Sequence, residues 1–253
     1  MAMQLVALAH PPLFWNDILH DPDNDEPRLR YSTWLDEQGE PLGEFIQVQC
    51  RLAEAGDSPL AWEWERREQE LLGEFEHEWA GELRGLVEWW TFRRGFIEEI
   101  AIPAGRFVQH AERLFDNAPL LRVHLSRSRE HMEALAQCSS LLRLRHLDLS
   151  NNFVRDQGVQ LLAESPFLAE LHSLNLSSAA LSDAGVSALA NSPFLTKLRE
   201  LYLCDNRIGA AGIRALAHSP LAGQLDLLHL RYNEIDVDSA DLLRKTFGAR
   251  VRW

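Results

Sequence analysis

The chain has 253 residues, of which 46% are hydrophobic, and its formal net charge is −13. This apolar content is enough for a large core, in one long domain or in two smaller ones. The sequence contains no run of 18 or more apolar residues, so we expect no membrane span, and the acidic balance argues against binding to nucleic acid.

Charge and tryptophan are distributed unevenly along the chain. Residues 1–95 contain 20 Asp and Glu against 8 Lys and Arg, whereas residues 96–253 contain 18 against 17. Seven of the eight tryptophans precede residue 95. Because both shifts occur at one place, we predict two domains, residues 1–95 and residues 96–253.

The N-terminal stretch MAMQLVALAHPPLFW has no Lys or Arg before its short apolar run, unlike a secretory signal. The cysteines Cys50, Cys138 and Cys204 are far apart and lack the spacing of a zinc site, so we expect them to be reduced. These two features predict a cytoplasmic protein.

Residues 1–95 have the apolar spacing of helices. LFWNDILH predicts a first short helix, and Leu29, Trp34 and Leu35 define the face of a second. PLGEFIQVQCRLAEAG predicts a third helix that ends at Gly56, and AWEWERREQELLGEFEHEWAGEL predicts a long fourth helix with an acidic outer face. We therefore predict an all-α domain of three or four helices.

An acidic cluster lies before the second predicted helix. It consists of Asp21, Asp23, Asn24, Asp25 and Glu26. A calcium loop of the EF-hand kind needs a glycine at its sixth position, whereas Pro27 and Arg28 interrupt this one. We therefore expect a solvated loop next to a helix N-terminus, and no metal site.

Three arginines of the same region are candidates for ion pairs. These are Arg28, Arg93 and Arg94, with Asp25, Asp36 or Glu44 as possible partners. No glycine-rich loop accompanies the arginines, so salt bridges between helices are a better interpretation than a phosphate site.

The sequence from residue 144 repeats itself every 27 residues. LRHLDLSNN at 144–152 returns as LHSLNLSSA, LRELYLCDN and LDLLHLRYN. Apolar residues occupy the same positions in every copy, and a glycine recurs as Gly158, Gly185 and Gly212, with Ser239 in the last copy. Such a period indicates a stack of similar units that share a core.

Each copy predicts one strand followed by one helix. The L-x-L pattern alternates as in a strand, and the following Asn can bond backbone groups that the strand leaves unpaired. We expect Asp156 and Asp183 to cap the helices of their own copies. Ser-Pro then ends each helix. Strands lie closer together than helices, so the parallel sheet should form the concave side of an arc.

Weaker copies lie upstream of residue 144. LLRVHL and IEEIAI carry the strand pattern at spacings shorter than 27 residues, and RFVQHAERLF predicts a helix between them. We therefore predict about six strand–helix units in residues 96–253. The C-terminal FGARVRW departs from the pattern, as a capping end does.

The repeated apolar positions from residue 144 onward resemble those of the leucine-rich repeat, and the 27-residue helical unit resembles its ribonuclease-inhibitor-like subtype. DEPRLRYSTWLDEQGEPLGEFIQVQCRLA followed by FRRGFIEEI resembles the repeat-companion domain of bacterial leucine-rich repeat proteins. That family has Tyr-Ala-Asp-Trp-Leu where this chain has Tyr31 to Leu35 as YSTWL, without the acid. The resemblance implies an α/β solenoid preceded by an all-α N-terminal capping domain, and little chemistry.

Residues between the leucines should point out of the sheet in three rows. The rows are Arg122, His146, Ser173, Glu200, Leu227; then His124, Asp148, Asn175, Tyr202, His229; then Ser126, Ser150, Ser177, Cys204, Arg231. We call the following candidates for contact with a protein partner the strand face: Arg122, His124, His146, Asp148, Ser150, Asn175, Glu200, Tyr202, Cys204, His229 and Arg231.

A catalytic or metal role is a weaker interpretation of the same residues. His124, His146 and Asp148 should lie near one another, but side chains on a sheet stand parallel and do not converge on a metal. Cys204 lacks a base among its row neighbours. We therefore predict no catalytic residue, no metal and no cofactor.

The pattern as a whole favours a non-enzymatic scaffold that binds a protein through the strand face. Two alternatives place a function in the acidic first domain. One is an enzyme with chemistry there or near Trp89–Arg94, although no P-loop, HExxH or dinucleotide motif occurs. The other is a decoy that binds basic partners. The partner, the pathway and the oligomeric state are left open by the sequence.

Overall fold

The computed structural model describes residues 12–56, 58, 59 and 61–253. The stretch on which the prediction about a secretory signal mainly rests, residues 1–11, lies outside the described residues. The chain divides into two compact units. The first unit contains residues up to Ile100 together with Arg113–Leu120, and the second contains Ala101–Glu112 and Leu121–Trp253. No helix in the described part of the chain is long and apolar enough to cross a membrane.

Four helices make up most of the first unit. They are α1 (Pro12–His20), α2 (Glu26–Glu37), α3 (Pro41–Glu54) and α4 (Ala61–Trp79). Each helix contacts the next in the chain. Their buried side chains include Tyr31, Leu35, Phe45 and Leu71. Leu29, which the sequence predicted on the same face of α2 as Leu35, is instead 41% exposed.

The first unit is not purely helical. Strand β1 (Trp89–Arg93) lies within the segment 1–95 for which the sequence predicted only helices, and β2 (Phe96–Pro103) follows it. Trp and Thr favour strands. The turn between β1 and β2 has positive φ at both Arg94 and Gly95, as in a tight hairpin turn. A side chain at Gly95 would collide with Ile46 of α3, so glycine is required there.

A buried ion-pair network holds the acidic loop of the first unit. Arg28 is 0% exposed and donates to Glu98 Oε1 over 2.6 Å, and Arg94 donates to the same oxygen over 3.0 Å. Both arginines also donate to the carbonyl oxygen of Pro22. The predicted pairing of Arg94 with Asp25 is present at 3.3 Å, but Glu98 is the main partner of Arg28.

The other predicted ion-pair groups of the first unit have different partners. Arg93 pairs with Glu99, Glu44 pairs with Arg67, and Asp36 accepts a hydrogen bond from Gln47. The arginines of this region therefore form structural salt bridges, although mostly not with the predicted acids.

The second unit alternates strands and helices. Its elements are α5 (Ala104–Asn117, which ends in the first unit), β3 (Arg122–Ser126), α6 (Met132–Ala136), β4 (His146–Asp148), α7 (Arg155–Ala163), β5 (Ser173–Asn175), α8 (Asp183–Ala190), β6 (Glu200–Tyr202), α9 (Ala210–Ala217), α10 (Leu221–Gln224), β7 (Leu227–His229), α11 (Val237–Phe247) and β8 (Val251–Arg252). Strands β3 to β8 pair in chain order, and every pair is parallel.

The repeated leucines form the core of this unit. Leu147, Leu174, Leu201 and Leu228 are aligned in register across β4 to β7 and are at most 2% exposed. Helix α8 contacts α7 and α9, and α9 contacts α11, so the helices also stack in chain order. The mixed α/β architecture with a parallel sheet confirms that part of the prediction. Strand β8 adds one strand that the leucine pattern did not predict.

Asparagines after the strands bridge neighbouring repeats. Asn206 accepts from the backbone amides of Ala179 and Leu181 and donates to the carbonyl oxygens of Leu176, Leu203 and Cys204. Asn152 and Asn233 make corresponding bonds with backbone groups one repeat earlier. The predicted role of this asparagine is therefore confirmed.

The aspartates at the helix starts act across repeats, and the prediction that each caps its own helix is wrong. Asp156 lies inside α7 and accepts from the backbone amides of Ser182 and Gly185, at the start of α8. Asp183 likewise accepts from the Gly209 amide, before α9. The aspartate in the first helical turn of one repeat reaches the N-terminal amides of the helix in the next repeat. Its carboxylate therefore stabilises that next helix.

Candidate functional site

The register of the parallel strands places the strand face in the expected rows. The first row runs from Arg122 through His146, Ser173 and Glu200 to Leu227 across β3 to β7. The second row runs from His124 through Asp148, Asn175, Tyr202 and His229 to Arg252 of β8. The alternation with buried leucines therefore places one continuous series of polar groups on one side of the sheet.

Most of the strand-face side chains are half-buried. Arg231 is exposed, and Ser173, in the middle of the first row, is buried. Ser150 and Cys204 of the third row are also half-buried, and Cys204 is a free cysteine. Side chains with this intermediate exposure have polar atoms available to a ligand while their stems are held by neighbours.

At the β3–β5 end, the polar groups satisfy one another. Asp148 Oδ2 lies 3.5 Å from His124 Nδ1 and accepts from Asn175 Nδ2 over 2.8 Å. Asp148 Oδ1 accepts from the Ser150 amide over 2.7 Å, and Asn175 makes the same bond with Ser177. His124 lies beside Asp148 as the sequence predicted, and His146 is in the adjacent row. We call His124, Asp148 and Asn175 the polar ladder.

The polar ladder holds Asp148 in its ionised form. Burial of the carboxyl group acts to raise its pKa, but hydrogen bonds from His124, Ser150 and Asn175 together lower the pKa to about 2. A carboxylate that accepts several hydrogen bonds from fixed neighbours is a structural group, not a base ready to accept a proton.

The β6–β8 end has a different character. The Tyr202 and His229 rings are 5.0 Å apart, and the Tyr202 hydroxyl donates to Glu200 Oε2 over 3.2 Å. Burial and the charge of Glu200 raise the pKa of Tyr202. Burial lowers the pKa of His229, and the charges of Arg231 and Arg252 lower it further. His229 therefore lies in a positively charged environment.

Three arginines around these rows have unpaired guanidinium groups. Arg122, Arg231 and Arg252 have no side-chain hydrogen bond or ion pair among the described residues. By contrast, Arg145 and Lys197, outside the rows, both lie near Glu170. The charges of the β6–β8 end are thus available to a molecule outside the chain.

Neither the rows nor the acidic cluster offers a metal site. Within residues 12–56, 58–59 and 61–253, no three His, Cys, Asp or Glu side chains are grouped to hold a metal ion. In the acidic cluster, Asn24 Oδ1 accepts from the Glu26 amide, and Asp25 is next to Arg94. These oxygens bond within the protein, next to the N-terminus of α2.

The sequence reasoning missed Arg252 of the second row. Arg252 lies after the last repeat, in the two-residue strand β8. In this strand Val251 occupies the buried position that a leucine has in the preceding strands. The alternation of Ala249, Val251 and Trp253 with two arginines was the available signal. It was too short to separate from an irregular C-terminal end.

Comparison with known families supports the repeat pattern. A family model described as a leucine-rich repeat matches residues 143–163, 170–190 and 194–217. No curated protein matches the chain closely enough to be reported as a relative. The matched segments contain the helices α7, α8 and α9 and the strands β4, β5 and β6. Repeats of this family generally mediate protein–protein interactions and are typically non-enzymatic. The three matched segments of the chain are therefore leucine-rich repeats.

Proposed function

We propose that this chain is a non-enzymatic module that binds a protein partner through the strand face. The observation that carries the proposal is the alternation along β4 to β7. At each strand the central leucine is buried, while the flanking residues vary, include His, Asp, Asn, Glu and Tyr, and are in most cases half-buried. A scaffold of constant leucines with varied polar neighbours keeps its shape and differs in what it recognises.

The residue types on the strand face support a protein ligand. Tyr202, Arg122 and Arg231 belong to the types that contribute most to the affinity of protein interfaces. Many of the polar atoms already lie in fixed positions through bonds such as the one from Asn175 to Asp148. A surface with preset side chains loses less conformational freedom on binding than a flexible one.

We further propose that the repeats are of the ribonuclease-inhibitor-like subtype and that residues 1–95 are a bacterial-type companion domain. The repeat length of 27 residues and the helix in each unit support the subtype. The free cysteines Cys50, Cys138 and Cys204 favour a reducing compartment such as the cytoplasm.

The proposal is tested by affinity capture with matched variants. We expect His146→Ala with Tyr202→Ala to remove the proteins that the wild-type chain retains from a native lysate. The control pair is Gln160→Ala with Arg214→Ala, whose side chains are exposed on α7 and α9. Retention that depends on the helix residues and not on the strand residues would place the binding surface elsewhere.

A further inference from the structure

The β6–β8 end of the strand face carries positive charge that its neighbours do not neutralise. Arg231 and Arg252 are exposed, and neither guanidinium group has a partner in the described part of the chain. His229 is in register with Arg252. Glu200 lies in the same region, and its carboxylate accepts a hydrogen bond from the Tyr202 hydroxyl. Two arginines and a histidine therefore face one carboxylate.

The two arginines are spaced to contact one extended ligand. Arg252 is opposite His229 on the neighbouring strand, and Arg231 follows His229 by two residues, just past the end of β7, where the charges of both arginines act on His229. Diagonal neighbours of this kind are roughly 7–8 Å apart. Side chains on one side of an extended peptide repeat every two residues, which is roughly 7 Å. Acids at alternate positions of a peptide therefore match the two guanidinium groups.

The neighbouring side chains provide contact area beside the charges. Tyr202 and His229 present two adjacent rings, and Leu227 lies half-buried next to Glu200 in the first row. Aromatic rings with an adjacent arginine are frequent anchors of protein interfaces. A peptide with small or apolar residues between its acids fits these rings.

We propose that Tyr202, His229, Arg231 and Arg252, which we call the basic end, bind an extended acidic segment of a protein, with carboxylates at alternate positions paired to the two arginines. The inference rests on the proposed function and adds the chemical class of the partner. Charge complementarity selects this occupant, because carboxylates supply the ion pairs that both arginines lack.

Binding of an acidic segment should be coupled to protonation of His229. Burial, Arg231 and Arg252 lower the pKa of this histidine, while Glu200 of β6 acts in the opposite direction. The Tyr202 hydroxyl, which faces the same site, stays neutral because its pKa is raised. A bound carboxylate offsets the arginine charges and favours the imidazolium. The affinity should therefore rise as the pH falls through the range where histidine titrates.

The test uses a labelled peptide of six Glu-Ala repeats, blocked at both ends, titrated into the full chain at low salt. We expect Arg231→Gln and Arg252→Gln each to weaken binding about fivefold. Glu200→Gln should strengthen binding about twofold, because it removes the opposing charge. Arg155→Gln, which replaces an exposed arginine at the first position of α7, should leave the affinity unchanged. A peptide of Gln-Ala repeats serves as the uncharged control.

Three results would overturn the inference. One is peptide binding that neither arginine substitution weakens, or no binding at all. Another is tighter arginine-dependent binding of a single-stranded oligonucleotide of equal charge, which would identify a phosphate ligand. The last is self-association that both arginine variants abolish, which would make a second copy of the chain the occupant.

The two proposals can fail separately. If the double variant Arg231→Gln with Arg252→Gln still captures a protein and His146→Ala with Tyr202→Ala does not, the strand face binds a partner that is not acidic. If the Glu-Ala peptide binds the basic end but capture depends on α7 and α9, the basic end is an acidic-ligand site and the proposed function is wrong.

Discussion

The arginines of the first unit and those of the basic end differ in their partners. Arg28 is completely buried and pairs with Glu98, and Arg67 pairs with Glu44 over 2.6 Å. Arg231 and Arg252 are exposed and unpaired within the described residues. Burial of a charge is tolerated only where a partner and hydrogen bonds compensate it. The buried and paired Arg28 therefore holds the fold, whereas the unpaired arginines at the surface are available to a ligand.

The largest expected effect is at the buried pair. Glu98→Gln removes the nearest negative charge from the buried Arg28 and leaves only Asp25, 3.9 Å away, so we expect the free energy of unfolding to fall by about 3–5 kcal/mol. Chemical denaturation of the purified chain measures this change. Glu82→Gln removes the exposed partner of Arg113 and should cost below about 1 kcal/mol. Arg231→Gln should change stability by less than about 0.5 kcal/mol. A similar loss in all three variants would remove the distinction between the two groups of arginines.

The asparagine that bridges repeats provides the next effect. Asn206→Ala leaves buried backbone groups on both sides without partners, so we expect a loss of about 3 kcal/mol. Asn191→Ala, an exposed asparagine at the end of α8, should cost no more than about 0.5 kcal/mol. Urea unfolding with the two variants in parallel makes the comparison. Equal urea midpoints for the two variants would show that Asn206 does not stabilise the junction between repeats.

The polar ladder should make the stability of the folded chain depend on pH in the acidic range. The folded-state pKa of Asp148 is about 2, below the ordinary value of 3.8, so the ionised carboxylate stabilises the folded chain at higher pH. This contribution, about 2 kcal/mol, is present above about pH 4 and is lost as the pH falls toward 2. We expect Asp148→Asn to flatten the fall in stability between about pH 4 and pH 2, measured by thermal unfolding. An unchanged pH profile in this variant would contradict the assigned pKa.

The smallest effect concerns close packing between adjacent helices. A Cβ at Gly185 would lie 2.5 Å from Asp156 Oδ1, the oxygen that accepts from the start of α8. Gly185→Ala should therefore destabilise the chain by about 1 kcal/mol, after the gain in helix propensity. Gly73→Ala in α4, where a Cβ meets nothing within 4 Å, should stabilise it by about 0.5 kcal/mol. Melting temperatures that shift in the same direction would show that Asp156 can move aside freely.

Sequence patterns predicted the features that depend on fixed spacing. The repeated leucine positions predicted strands β4 to β7, and the alternation of residues along the strands predicted that His124 lies next to Asp148. Features that depend on distant or short segments were not predicted. The Arg28–Glu98 pair joins residues 70 apart, and no local pattern shows that both become buried. Strand β8 has only two residues, and Asp156 caps a helix of the next repeat, so neither has a local signature.

The central claim is that the strand face is the surface that a protein partner covers. Histidine modification with diethyl pyrocarbonate, read by mass spectrometry, tests it on the complex with a captured protein. We expect His146 and His229 to react more slowly in the complex, while His77 of α4 and His218 after α9, both exposed, react at unchanged rates. Protection of His218 or His77 with unchanged reaction at His146 and His229 would contradict the account.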